Sequence, residues 1–217
     1  MIVDADRNIV ARQAALETGG LLSVHADGNI DMQVGRSTRR VDDAHESTLR
    51  GTFSKKTLTS RTTADESISH GSSFGGNLTS ITANGNITGE GVHIRGDEGV
   101  LVHAQGTLDL HEARDLRSRS RETGEKRSGF GFSGDSLPAV VPQKNESRDN
   151  NASYSNTAAP TIIESKNGGV LLVGEQGAAL RGVQIDAKKD VTVKGATVSV
   201  IDAVNEYSDS SQHYEKT

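Results

Sequence analysis

The stretch GFGFSG at Gly129–Gly134 spaces its glycines as the G-x-G-x-x-G loops that cradle a dinucleotide pyrophosphate do. That chemistry needs a buried strand before the loop, a helix opening inside it and an acidic residue about twenty positions on. Upstream stands RSRSRETGEKRS, which has no apolar strand pattern. Downstream, DSLPAVVPQKNESRDNNAS puts two prolines and a polar run where the helix would start. The glycines therefore read as turn residues, and no nucleotide is expected.

Metal chemistry would fall to the seven histidines, since the chain has no cysteine. His25 and His103 stand in matching contexts, VHADGNIDM from Val24 and VHAQGTLDL from Val102. His93, His103 and His111 are expected to point outward from strands, where stacked imidazoles would form a ladder. No HExxH or comparable spacing occurs, so these read as solvated strand residues. Neither a metal nor a cofactor is expected.

Acid–base chemistry would need two carboxylates facing one cleft with their pKa values pushed apart. The close groups are Asp42-Asp43, Asp97-Glu98, and Asp186 with Asp190. They sit among turn and polar residues, so the chain is read as non-enzymatic. The alternative is a β-helical enzyme acting on an acidic polysaccharide through Asp186 or Asp190. The run ARDLRSRSRETGEKR supplies Arg114, Arg117, Arg119, Arg121, Lys126 and Arg127 against Asp115, Glu122 and Glu125. It is the candidate contact for an anionic surface such as lipopolysaccharide or lipid headgroups, weakening with salt. Nucleic acid is not expected, because no aromatics are interleaved for base stacking. The plainer reading of the same run is a solvated hairpin.

What must position these residues is legible from composition and repeats. The chain has 217 residues, 33% hydrophobic but only 3% aromatic, with 24 glycines and a formal net charge of −5. Few aromatics and many β-branched residues favour short strands over helices packed on rings. ADRNIV from Ala5 and ADGNID from Ala26 lie 21 positions apart. The same interval separates ANGNIT (Ala83) from AQGTLD (Ala104), and KNGGVL (Lys166) from AKKDVT (Ala187). Asn29 and Asn86 share one corner of this motif, where stacked amides would form a ladder. Within the units the apolar period is two: Val92 and Ile94, Val100 and Val102, Leu108 and Leu110. A strand repeat of this length cannot bury its apolar face alone, but stacked coils can, at about 4.8 Å per coil.

The expected fold is therefore all-β: a right-handed parallel β-helix, or solenoid, with long hairpin or loop excursions. One repeat segment spans 1–217, with coil pairs at about 5–34, 77–112 and 163–203. Excursions fall at about 35–75, 113–158 and 204–217. The polar stretch PQKNESRDNNASYSN has a composition compatible with disorder.

The order GGNLTSITANGNITGEGVHIRGDEGVLVHAQGTLDLHEARD, then a charged run, then SGFGFSG, resembles the haemagglutinin repeats of filamentous-haemagglutinin-like exoproteins. These include the effectors of contact-dependent growth inhibition. HESTLRGTFSKKTLTSRTTADESISHGSSFGGN looks like a linker between such repeats. The resemblance implies a non-enzymatic structural or adhesive rod, secreted or on the bacterial cell surface, exported by an outer-membrane transporter. It implies contact with a target-cell receptor, outer membrane or glycan, and in the growth-inhibition branch a part in toxin delivery. Neither the secretion domain nor the VENN tetrapeptide is found, so the export signal is expected outside this chain. Uncapped coils at the ends would also permit end-to-end self-association.

Overall fold

The computed structural model describes residues 1–133 and 139–217. The described residues are all-β, without a helix. They form two units: residues 1–37, 68–115 and 157–205 in the first, and 38–67, 116–156 and 206–217 in the second. Gly134, which closes GFGFSG, lies outside the described residues.

The first unit is built from successive circuits of short strands. β1 (Ile2–Ala5) and β2 (Ile9–Arg12) are followed by β3 (Ala15–Glu17), β4 (Leu21–Ala26) and β5 (Ile30–Gln33). The chain then runs through a long pair, β6 (Gly35–Arg50) and β7 (Ser54–His70). Two circuits follow: β8 (Ser73–Ala83) with β9 (Ile87–Glu90), and β10 (His93–Ala104) with β11 (Thr107–His111). A second long pair comes next, β12 (Ala113–Ser133) and β13 (Ala139–Ala159). β14 (Thr161–Ser165), β15 (Gly169–Gly174) and β16 (Gly177–Arg181) then resume the short strands. The last circuit is β17 (Val183–Ala187), β18 (Val191–Gly195) and β19 (Val198–Ile201), before β20 (Glu206–Lys216).

Strands β2, β5, β9, β11, β16 and β19 lie side by side in one parallel sheet, and the other short strands pair in a second. The chain thus passes from one sheet to the other and back, advancing one strand each time. Ile2 pairs with Ser23, Ile9 with Ile30, Leu108 with Ile87 and Val170 with Val191, each at the 21-residue interval of the sequence repeat. Where a long pair intervenes, the register resumes beyond it: Ile30 pairs with Ile87, and Leu108 with Ala178.

Alternation decides which side chains enter the core. In β10 and β11, Ile94, Val102, Leu108 and Leu110 are fully buried, whereas His93, Arg95, His103 and Asp109 are not. Each such aliphatic side chain contributes about 1.5–3 kcal/mol on burial. Asp97 and Glu98 fall where the pairing of β10 with β8 shifts, between Gly96 and Gly99. The buried Thr79 hydroxyl bonds the Arg95 carbonyl beside that bulge at 2.5 Å.

The Gly-Asn corners interlock from one circuit to the next. Asn8 Oδ1 accepts the Asn29 N–H, Asn29 Oδ1 the Asn86 N–H, and Asn86 Oδ1 the Thr107 N–H, each at 2.8 Å. Glycine precedes each receiving residue because the amide of the previous circuit occupies its side-chain space. A Cβ on Gly85 would collide with Asn29 Oδ1. The sequence reading had the ladder at Asn29 and Asn86; the structure extends it to Asn8 and ends it on Thr107.

Two buried hydroxyls close the chain where it returns from the long pairs. Ser72 Oγ lies 3.3 Å from the carbonyls of Gln33 and Ala11. Thr161 Oγ1 donates to the His111 carbonyl at 2.7 Å and accepts the Val92 N–H at 3.1 Å. Gln33 and His111 are the last strand residues before each departure, so each hydroxyl ties the point of return to the point of exit.

The second unit is one sheet in the order β20-β13-β12-β7-β6. β12 pairs antiparallel with β7 from Leu116↔Ser67 to Gly129↔Ser54, and β13 with β20 from Glu146↔Lys216 to Asn156↔Glu206. No described residue of this unit is buried and apolar, so backbone ladders and cross-strand pairs hold it together. PQKNESRDNNASYSN, whose composition is compatible with disorder, lies within β13, ordered by strands on both sides.

Candidate contact surface

The six cations of the basic run do not form one patch. Arg114 belongs to the first unit, where Nη2 meets Glu112 at 2.6 Å and Nη1 donates to the Val204 carbonyl. Arg36 does the same one module earlier, reaching the Arg114 carbonyl at 3.0 Å and Glu90 at 3.3 Å. Arg114 is thus a structural clamp of the repeat and is not available as a free cation.

The remaining five lie on β12, where strand alternation sorts them. Arg117, Arg119, Arg121 and Arg127 share one parity, and Lys126 has the other. Arg117 bonds Glu66 at 2.8 Å on the neighbouring strand. Lys126 faces Glu146 at 3.4 Å, and Arg127 bonds Glu125. Arg119 and Arg121 make no ion pair among the described residues. They border a shallow trough of about 490 Å³ whose other walls are Asn151, Ser153, Asp209 and Ser211. Two guanidiniums share this trough with the Asp209 carboxylate and a row of hydroxyls and amides, and they enclose nothing.

The other candidates resolve into structural partners. His25 and His103 share a column but are separated by Thr82, which pairs with both and whose Oγ1 lies 2.9 Å from His25 Nδ1. The imidazole ladder therefore does not form, because the two histidines are two circuits apart. His93 pairs with Glu164 at 3.1 Å, His103 with Glu175 at 3.1 Å and His111 with Asp109 at 3.5 Å. No group of three metal-ligating side chains occurs among the described residues.

Among the described residues, every carboxylate with a displaced pKa is displaced downward. Asp42 is held low by a two-pronged bond from Arg61 at 3.0 and 2.8 Å. Lys56 and Arg127 lower Glu125, and Arg148 and Lys126 lower Glu146. Burial pushes Glu112 up, but its own backbone N–H with Arg181 and Arg114 outweighs that and holds it low. A general acid needs the opposite displacement. Asp186 faces Glu164 across β14 and β17, and Asp190 lies just before β18 with its carbonyl accepting the Val170 N–H at 3.0 Å.

Several working residues carried no local signal. Ser72 lies in a run of small polar residues, Thr161 follows a proline and precedes two isoleucines, and Glu112 looks like any acidic residue in HEARD. A repeat alignment that places Gln33 over His111 would have pointed to the hydroxyls that follow each excursion.

No family profile and no solved structure matches the chain. In an alignment of 204 positions that covers 89% of the chain, it is 28% identical to a protein of Yersinia mollaretii named tRNA nuclease CdiA. The chain spans 7% of the length of that relative.

Proposed function

We propose that the chain is a non-enzymatic structural and adhesive segment of a secreted bacterial surface exoprotein of the contact-dependent inhibition kind. The observation that carries this reading is the 21-residue register that recurs through two parallel sheets and resumes beyond each long pair, interlocked by amides and arginines. Similarity to the Yersinia protein over most of the chain supports the same kinship. In this reading the first unit is a right-handed β-solenoid, one stretch of a rod. The long strand pairs are the contact surfaces offered to a target-cell receptor, outer membrane or glycan. Export runs through an outer-membrane transporter. The nuclease activity in the relative's name is not assigned to this segment, which matches 7% of that protein.

Binding of the purified chain to whole target bacteria tests the reading. Salt-sensitive binding that falls several-fold in an Arg119→Gln/Arg121→Gln variant is expected, since both cations are exposed and without an acidic partner. Absence of binding by the folded chain at low salt would remove the adhesive role.

A further inference from the structure

The turn joining β6 to β7 carries Phe53 with 75% of its surface exposed, although the chain has only four phenylalanines. The turn is closed by the Gly51 N–H donating to the Ser54 carbonyl at 2.8 Å. Ser54 pairs with Gly129 on β12, and the next residue, Phe130, is 62% exposed. Leu49, four positions before Phe53, is 59% exposed. Three large apolar side chains thus stand in water at one end of the sheet, while the other exposed large apolar residues of this unit, Leu116, Tyr154, Tyr207 and Tyr214, lie elsewhere along its strands. Single exposed apolar residues are ordinary, but a group at one tip marks an interaction site.

The surrounding charge indicates the partner. Arg50, Lys55, Lys56, Lys126 and Arg127 lie within four positions of Phe53 or Phe130, a span with no carboxylate; Glu125 and Asp135 each stand five positions from Phe130, and Lys126 also faces Glu146 at 3.4 Å. Glu125 is already held by Lys56 at 3.1 Å and by Arg127. Among the described residues Arg50 and Lys55 have no acidic partner. Aromatic rings projecting beyond a collar of lysine and arginine match a lipid surface, where rings enter the headgroup boundary and the cations meet phosphates.

We infer that this tip, Leu49, Phe53 and Phe130 within its basic collar, docks on an anionic phospholipid bilayer. The inference deepens the contact role proposed above by naming one surface and one partner. It differs from the β12 arginine row in using apolar insertion as well as charge.

The chain contains no tryptophan, so Phe53→Trp introduces a single reporter at the tip. The variant is titrated with vesicles of phosphatidylethanolamine and phosphatidylglycerol, which carry neither protein nor lipopolysaccharide. The expected result is a shift of emission to shorter wavelength, quenching by brominated acyl chains and release at high salt. Tyr207→Trp on β20 is expected to stay unshifted. Sedimentation of the unmodified chain with the same vesicles gives a readout independent of the reporter, and Phe53→Ser/Phe130→Ser is expected to weaken it about tenfold. No shift in the Phe53→Trp variant, equal shifts at both reporters, or a shift only with lipopolysaccharide or extracted membrane proteins would each overturn the inference. Binding to whole cells with no binding to vesicles would remove this tip while leaving the adhesive reading intact.

Discussion

The Asn29 side-chain oxygen accepts the Asn86 backbone N–H at 2.8 Å, across 57 residues of sequence. A Cβ on Gly85 would collide with that oxygen and destroy the contact. One amide therefore fixes two residues in the next circuit: a donor to satisfy, and a glycine to leave room.

Gly85→Ala is expected to destabilise the first unit by about 1–3 kcal/mol, read by chemical denaturation. Asn29→Ala alone is expected to cost about 1 kcal/mol for the lost bond. In the double variant the closest clashing oxygen is gone and only the Gly28 carbonyl, 2.9 Å from the new Cβ, still crowds it, so the double loss is expected to be smaller than the sum of the single losses. Strict additivity in that cycle would mean that the amide does not occupy the glycine's space.

Val102→Asp places a carboxylate where the wild-type side chain is 0% exposed and no cation faces it. A loss of several kcal/mol is expected. An unchanged thermal midpoint would refute the inward assignment of the Val100–Val102 face.

Glu112 is fully enclosed with Arg114 at 2.6 Å and Arg181 at 3.0 Å. Its folded pKa lies below the ordinary carboxylate value, so its stabilisation is complete above about pH 4.5 and is lost as pH falls through the lower, folded value. Glu112→Gln is expected to destabilise by about 1–3 kcal/mol at neutral pH, because two half-exposed guanidiniums lose their partner. It is also expected to flatten the acid limb of the stability curve. Parallel acid limbs for the variant and parent would show that Glu112 does not set that limb.

His213 on β20 bonds Asp149 on β13 at 2.6 Å, and this bond chiefly holds its pKa above the ordinary histidine value. A raised histidine contributes fully below about pH 6.5, and its contribution fades as pH rises through the folded value. Amide exchange in β20 is therefore expected to quicken, beyond its intrinsic base dependence, as pH rises above the ordinary histidine value. Asp149→Asn is expected to remove that extra step. Its persistence in the variant would assign the step to another group.

Much of the first unit was legible in the chain because stacking imposes one short period on everything it touches. The 21-residue interval, the inward Val102 and the Asn29–Asn86 corner all follow from it. The histidines were read as solvated strand residues, and the alternative of an imidazole ladder fails because equal repeat positions in alternate circuits are not neighbours: Thr82 stands between His25 and His103. The long strands were harder to place. β13 meets β20 at separations of 50–70 residues without a core, and its Asn, Ser and Lys carry the composition of disorder. Arg114 was grouped with its basic neighbours because charge in a sequence does not say which cation is spent on a carbonyl.

The two hydroxyl ties have a consequence for how such a chain can change. Ser72 with Gln33, and Thr161 with His111, join the ends of each long detour inside the first unit. Closure there does not depend on what lies between, and lengthening a closed loop adds only about 0.6 kcal/mol per doubling. The frame can therefore stay closed while a detour changes length, but because β7 of one detour pairs with β12 of the next, a change in one strand has to be matched in its neighbour.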